Sequence, residues 1–294
     1  MPALREALAH AADLSQRLSQ VSVRTYQNPY TAVEWPTSVE PEADWFTSPE
    51  HVSLYGTPLW DDLDEGGRMR LAFWEAANFY SLNIHGEKTL MNGLASRLYR
   101  KDLLNVTDYL HHFLDEENKH SIYFGGFCTR YARIYPSHQV QLSAERARDV
   151  EDFLFFAKTM VFEEIADELN RIQAGDDRLH PLARFINDNH HREETRHLVF
   201  GREVVAALWQ ACAPSWDTET VAAVRAELRD FFLASWREYY NPMVYADAGF
   251  AEPWEVAELA WQHPSQRQRR RALSRRCLNY LSNADIMGED YLDA

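Results

Sequence analysis

Two Glu-x-x-His strings occur in this 294-residue chain, Glu117-Asn-Lys-His120 and Glu194-Thr-Arg-His197. On a helix, side chains three positions apart leave the same face, so each pair can reach one metal ion. Alone, such a string fits an exposed helical salt pair better than a ligand pair, and the looser strings Asp177/His180 and Asp188/His191 arise by accident. The setting of the two strings changes that balance. Glu117 and His120 fall inside an apolar stripe of Leu110, Phe113, Leu114, Phe124 and Phe127. A carboxylate among core residues costs several kcal/mol unless something neutralises it. In the second string, His190 stands four residues before Glu194, and His190, Glu194 and His197 share about 60° of helical arc.

A faint internal duplication links the two strings. Glu117 lies 77 residues before Glu194, and His120 lies 77 before His197. Each is preceded by another helical segment with a glutamate about thirty residues upstream: Glu87 in the first half, Glu163 or Glu164 in the second. Two helices giving one Glu each and two giving Glu-x-x-His is the pattern of ferritin-like two-metal carboxylate sites. Four carboxylates and three neutral imidazoles balance two Fe²⁺ in formal charge. Oxygen and nitrogen donors without thiolate suit iron, or manganese, better than structural zinc.

With these residues the sequence resembles the AurF-type di-iron N-oxygenases, whose name-giving member oxidises p-aminobenzoate. The most specific string is His190-His-Arg-Glu-Glu194-Thr-Arg-His197, whose extra histidine distinguishes this pattern from ordinary four-Glu, two-His hydroxylases. The resemblance covers about residues 70–210. It implies carboxylate ligands at Glu87, Glu117, Glu163 and Glu194 and imidazole ligands at His120, His190 and His197. For the third helix, the 77-residue offset points to Glu164, whereas resemblance through Val161-Phe162-Glu163 favours Glu163, which is adopted. It further implies a pair of iron ions, O₂ as co-substrate, a small-molecule amine as substrate and an external electron donor, since the sequence holds no dinucleotide or flavin signature. The product would be a hydroxylamine, nitroso or nitro compound. Two other readings use the same ligands: di-iron oxidation at carbon, and a non-catalytic ferritin-like metal-binding bundle.

The elements that must hold these residues are helical. Apolar positions recur at helical spacing over about 69–98, 102–132, 145–173, 181–212 and 217–240, and no period-two alternation competes. The last of these is expected to stop at Asn241-Pro242. Further helices are expected over 2–20, 252–261 and 265–282. Residues 27–68 hold five prolines and three tryptophans, Trp35, Trp45 and Trp60, and read as an irregular segment packed on the body. The expected fold is all-α, a ferritin-like antiparallel four-helix bundle with extra N- and C-terminal helices. It forms a single domain over 1–294, with a covering segment (1–68), a metal-binding core (69–212) and C-terminal helices (213–294). Phe113, Phe124, Phe156, Met160 and Met91 are candidates for a pocket lining, with ordinary core packing the better reading of each.

Composition sets the outer limits. Charged residues are 26% and the net charge is −15, so a nucleic-acid partner is not expected. The apolar runs are too short for a membrane span, so a cytoplasmic protein without a membrane partner is expected. Cys128, Cys212 and Cys277 show no pairing pattern. A homodimer is expected from the habit of such bundles. The run Arg267, Arg269, Arg270, Arg271, Arg275 and Arg276 reads as a solvated helix face.

Overall fold

The computed structural model describes residues 8–137 and 146–287. It is all-helical, with no strand among the described residues beyond one isolated bridge between Trp45 and Leu179. Helix α1 spans Ala9–Thr25; the part of the expected helix before residue 8 lies outside the described residues. The four long helices are α2 (Glu65–Arg97), α3 (Thr107–Tyr131), α4 (Arg148–Ala174) and α5 (Pro181–Cys212). Then follow α6 (Thr218–Arg237), α7 (Pro242–Asp247), α8 (Pro253–Gln262) and α9 (Pro264–Asn283).

Helices α2 and α3 form one hairpin and α4 and α5 another, and the hairpins pack α2 on α4 and α3 on α5. This is the ferritin-like bundle. Local chemistry fixes where the helices begin. The Asp64 side chain accepts from Gly67 N at 2.8 Å to start α2, and Asp217 accepts from Thr220 N at 2.7 Å to start α6. Pro181, Pro242, Pro253 and Pro264 occupy first turns, where a missing N–H costs nothing. Helix α6 ends at Arg237, short of the expected stop at Asn241-Pro242, and Pro242 instead starts α7 with Asn241 as its cap.

The segment between α1 and α2, which carries a 3₁₀ turn at Pro49–His51 and a helical turn at Pro58–Asp61, lies on the bundle. Phe46 is buried against Phe73, Phe127 and the His180 ring, and Thr47 Oγ1 donates to Ala72 O at 3.0 Å. Helix α1 packs across α3 and α5, and α6 and α9 pack on α4. Gly93 of α2 admits the Phe155 ring of α4 so closely that a Cβ there would sit 1.9 Å from it. The Arg97 guanidinium lies 3.9 Å from the centroid of the same ring, closing the contact. All three cysteines are free and buried.

Arg270 and Arg276 depart from the solvated-face reading. Arg270 is buried and donates to Tyr240 Oη and Trp261 O, both at 2.9 Å. Arg276 reaches into α4 to bond Glu164 and Asp167. The C-terminal helix is thus fastened to the bundle by charge as well as by apolar contact.

Candidate metal centre

Each bundle helix sends side chains into one interior cluster: Glu87 from α2, Glu117 and His120 from α3, Glu163 from α4, and His190, Glu194 and His197 from α5. All seven are buried, at 2% exposure or less. Spacing does this locally, since i, i+3 and i, i+4, i+7 positions share a face. The bundle then turns the four faces inward together.

The donor atoms form overlapping groups, each spanning no more than 4.8 Å: Glu117/His120/Glu194/His197, Glu87/His120/His190, Glu163/His190/Glu194 and Glu87/Glu117/Glu163. His197 Nδ1 lies 2.9 Å from both Glu117 Oε1 and Glu194 Oε1. His120 Nδ1 lies 3.1 Å from Glu117 Oε2 and 3.4 Å from Glu194 Oε1. His190 Nε2 stands 3.3 Å from Glu87 Oε1 and 3.5 Å from Glu194 Oε1. The neighbouring Glu164 is elsewhere: its Oε1 accepts from Arg202 Nε and its Oε2 from Arg276 Nε, each at 2.7 Å. Asp177/His180 and Asp188/His191 are also outside the cluster. His180 caps α5, and His191 pairs with Asp167 at 2.5 Å.

Electrostatics point to a cation. Burial, then the repulsion of neighbouring acids, pushes the Glu87, Glu117, Glu163 and Glu194 carboxyls well above the usual range. Burial also pushes His120 and His190 well below the ordinary imidazole value, which keeps them neutral and able to donate a lone pair. Burial opposes charge on His197 too, but Glu117 and Glu116 outweigh it and raise the imidazole to about 9. Glu87 Oε2, Glu163 Oε2 and Glu194 Oε2 are buried without a hydrogen-bond donor, while Glu117 Oε1 has the His197 imidazole 2.9 Å away. Buried carboxylate oxygens left without a donor on three neighbouring acids call for a positive partner, and a metal ion could supply it. The residues fit a pair of divalent oxygen- and nitrogen-loving ions.

A further layer, not anticipated from the sequence, orients the imidazoles. Glu193 Oε2 faces His120 Nε2 at 3.1 Å, and Glu116 Oε2 faces His197 Nε2 at 2.8 Å. Lys119 Nζ donates to Glu193 Oε1 at 2.6 Å, and Arg196 donates to Glu116 Oε1 at 2.5 Å. Each helix thus supplies the carboxylate that accepts from the other helix's histidine, together with the cation that balances the other's carboxylate. Such partners fix the tautomer, aiming Nδ1 of His120 and His197 inward. The third histidine, His190, meets the Asn170 amide through Nδ1 at 2.5 Å. With the amide turned over, the otherwise unpartnered Asn170 Oδ1 accepts from Nδ1–H and leaves Nε2 free.

The 77-residue offset carries the signal for this layer. Glu116-Glu117-Asn118-Lys119-His120 repeats as Glu193-Glu194-Thr195-Arg196-His197, so the duplication reaches the outer carboxylates and cations as well. Arg196 is accordingly structural and buried, while Arg192 pairs with Asp188 at the surface. Among the named apolar candidates, Phe113 stacks on His197 at 3.9 Å and Phe124 lies 5.0 Å from His190. Phe156 and Met160 are buried, and Met91 is half-buried.

No helix among the described residues is long and apolar enough to cross a membrane. No curated protein matches the chain. The family model described as P-aminobenzoate N-oxygenase AurF matches residues 9–285, a span that contains α1 to α9, the seven clustered side chains and both crossed outer pairs. The chain therefore belongs to the P-aminobenzoate N-oxygenase AurF family.

Proposed function

We propose that this protein is an O₂-dependent N-oxygenase with two iron ions held by Glu87, Glu117, His120, Glu163, His190, Glu194 and His197. The observation that carries the reading is the set of four buried carboxylates, three of them with an oxygen that no protein group satisfies, converging on three imidazoles. When bound, the ions would supply O₂ activation and oxygen transfer to an amine nitrogen.

The chain's own residues account for the rest. Glu193 and Glu116 hold two imidazoles in the tautomer that points a lone pair inward. Phe113 and Phe124 wall the cluster with apolar surface, which excludes water and strengthens every charge interaction inside it. Arg269 is a candidate for positioning an anionic substrate. Its Nε is buried without a partner, while its Nη1 donates to Gln266 Oε1 at 3.3 Å. A carboxylate on an arylamine would meet Arg269 while its amine points toward the cluster.

The test is aerobic turnover of iron-loaded protein with a reductant and a panel of arylamines, read by mass spectrometry. The expected products carry one or two added oxygens on nitrogen. Arg269→Leu is expected to raise KM for p-aminobenzoate and leave KM for aniline unchanged. Oxygen found only on ring carbon would overturn the N-oxygenase assignment.

A further inference from the structure

The seven clustered side chains are enclosed, so a reductant outside the protein cannot touch ions held there. Electrons must tunnel from the surface. Coupling survives better through hydrogen bonds than across gaps, so the connected routes outward matter.

The two crossed outer pairs look alike near the cluster but end differently. From His120 the route runs through Glu193 (3.1 Å) to Lys119 (2.6 Å), whose Nζ lies 5.1 Å from the Tyr26 ring centroid. Tyr26 is 56% exposed. From His197 the route runs through Glu116 to Arg196, which turns back toward Glu193 Oε1 at 3.8 Å instead of outward. Tyr109, the phenol within electrostatic reach of Glu116, is fully buried behind Phe200 at 4.8 Å. Among the described residues, the His120 arm leads directly to solvent at Tyr26, whereas the His197 arm turns back into it at Glu193.

The surface at that end is unusual. Val23, Tyr26 and Tyr30 are large side chains left 65%, 56% and 78% exposed within eight residues of chain. Scattered apolar exposure is ordinary, but a group of this kind beside a charged relay marks a contact surface. Two tyrosine rings offer flat faces on which another ring can stack.

We propose that electrons enter the metal centre through Lys119 and Glu193 from a planar aromatic one-electron carrier seated against Tyr26. The proposal rests on the reading that the centre holds two redox-active ions. Each passage oxidises one carrier by one electron and takes one ferric ion to ferrous, and two passages reduce the pair. No bond is made or broken in the relay. Tyr26 is the contact, and Lys119 and Glu193 are positioning residues that couple it to His120.

The experiment uses the full chain loaded with iron and oxidised in air, then mixed without oxygen with reduced flavin mononucleotide. Decay of the ferric absorption, total iron and midpoint potential are read together. Tyr26→Ala is expected to slow ferric reduction about tenfold, the scale on which partners beyond the ligands act. Iron content and potential should stay as in the wild type. Lys119→Met should slow it as well and Lys119→Arg restore it, while Tyr99→Ala, which removes an exposed ring elsewhere, should leave the rate unchanged. Wild-type rates in Tyr26→Ala with iron retained would overturn the proposed entry point. Wild-type protein that holds no iron would instead overturn the two-metal reading on which it rests.

Discussion

Glu163 and Glu164 are neighbours on α4, and the roughly 100° of rotation between them separates a cluster-facing acid from a structural one. Glu163 faces three other acids, all driven toward the neutral form. Glu163→Gln is therefore expected to lose tight binding of the second ion, seen as iron per chain, and to raise the melting temperature of the metal-free protein. Glu164→Ala leaves Arg202 and Arg276 without their shared acceptor. It should keep its iron and lose about 2 kcal/mol in urea unfolding, the scale of hydrogen bonds to charged groups. A third acid lies outside the centre. Burial raises the Glu75 carboxyl to about 7, against the lowering effect of its hydrogen bond from Ser53. The unfolded form titrates near 4.5, so between about 4.5 and 7 the native state holds a proton that the unfolded chain has released. Wild-type stability should then fall as pH rises through that window. Glu75→Gln should escape the loss, growing more stable than wild type toward neutral pH and losing that advantage near 4.5; a series of melting curves across pH would show it.

At the scale of helices, glycines of similar appearance have opposite meanings. Gly125 in α3 has open space where a Cβ would go, whereas Gly93 in α2 would drive a Cβ into Phe155. Gly125→Ala is expected to stabilise by about 1 kcal/mol through helix propensity. Gly93→Ala should destabilise by roughly 1–3 kcal/mol through overpacking, because Arg97 and its ion pair with Asp152 keep the ring from moving away. Urea titration of the two variants compares them directly. The long helices were legible because the apolar period persists over many turns: the expected 181–212 coincides with α5, and the other three long helices fall within five residues of expectation at each end. The end of α6 was less so. It comes at Arg237, ahead of Asn241-Pro242, and the Asn-Pro pair serves as cap and first turn of α7, a role that proline's fixed φ also suits.

For the whole molecule, four acids that repel one another in the interior make folding and metal binding one problem. Above the ordinary histidine value of 6.5, His120 and His190 are neutral in both states, and the raised acids together with His197 set the slope. The native state then binds more protons than the unfolded chain, so the melting temperature of metal-free protein should fall from about pH 6.5 to 8. Ferrous ions take the place of those protons and should flatten that slope. At a free concentration near 100 times Kd they should add about 2.7 kcal/mol, or roughly 5–10 °C, reversed by a chelator. Scanning calorimetry with and without metal checks both signs. The sequence alone determined that the chain is helical and that acids and histidines of ligand type recur at helical spacing, with Glu163 or Glu164 on the third helix, because both follow from spacing along one element. Which of Glu163 and Glu164 looks inward, how Glu116 and Glu193 cross to each other's histidine, and that Lys119 leads to an exposed ring were decided only by tertiary structure. These depend on the rotation and offset of each helix against its neighbours, which packing across the core sets and local periodicity does not encode.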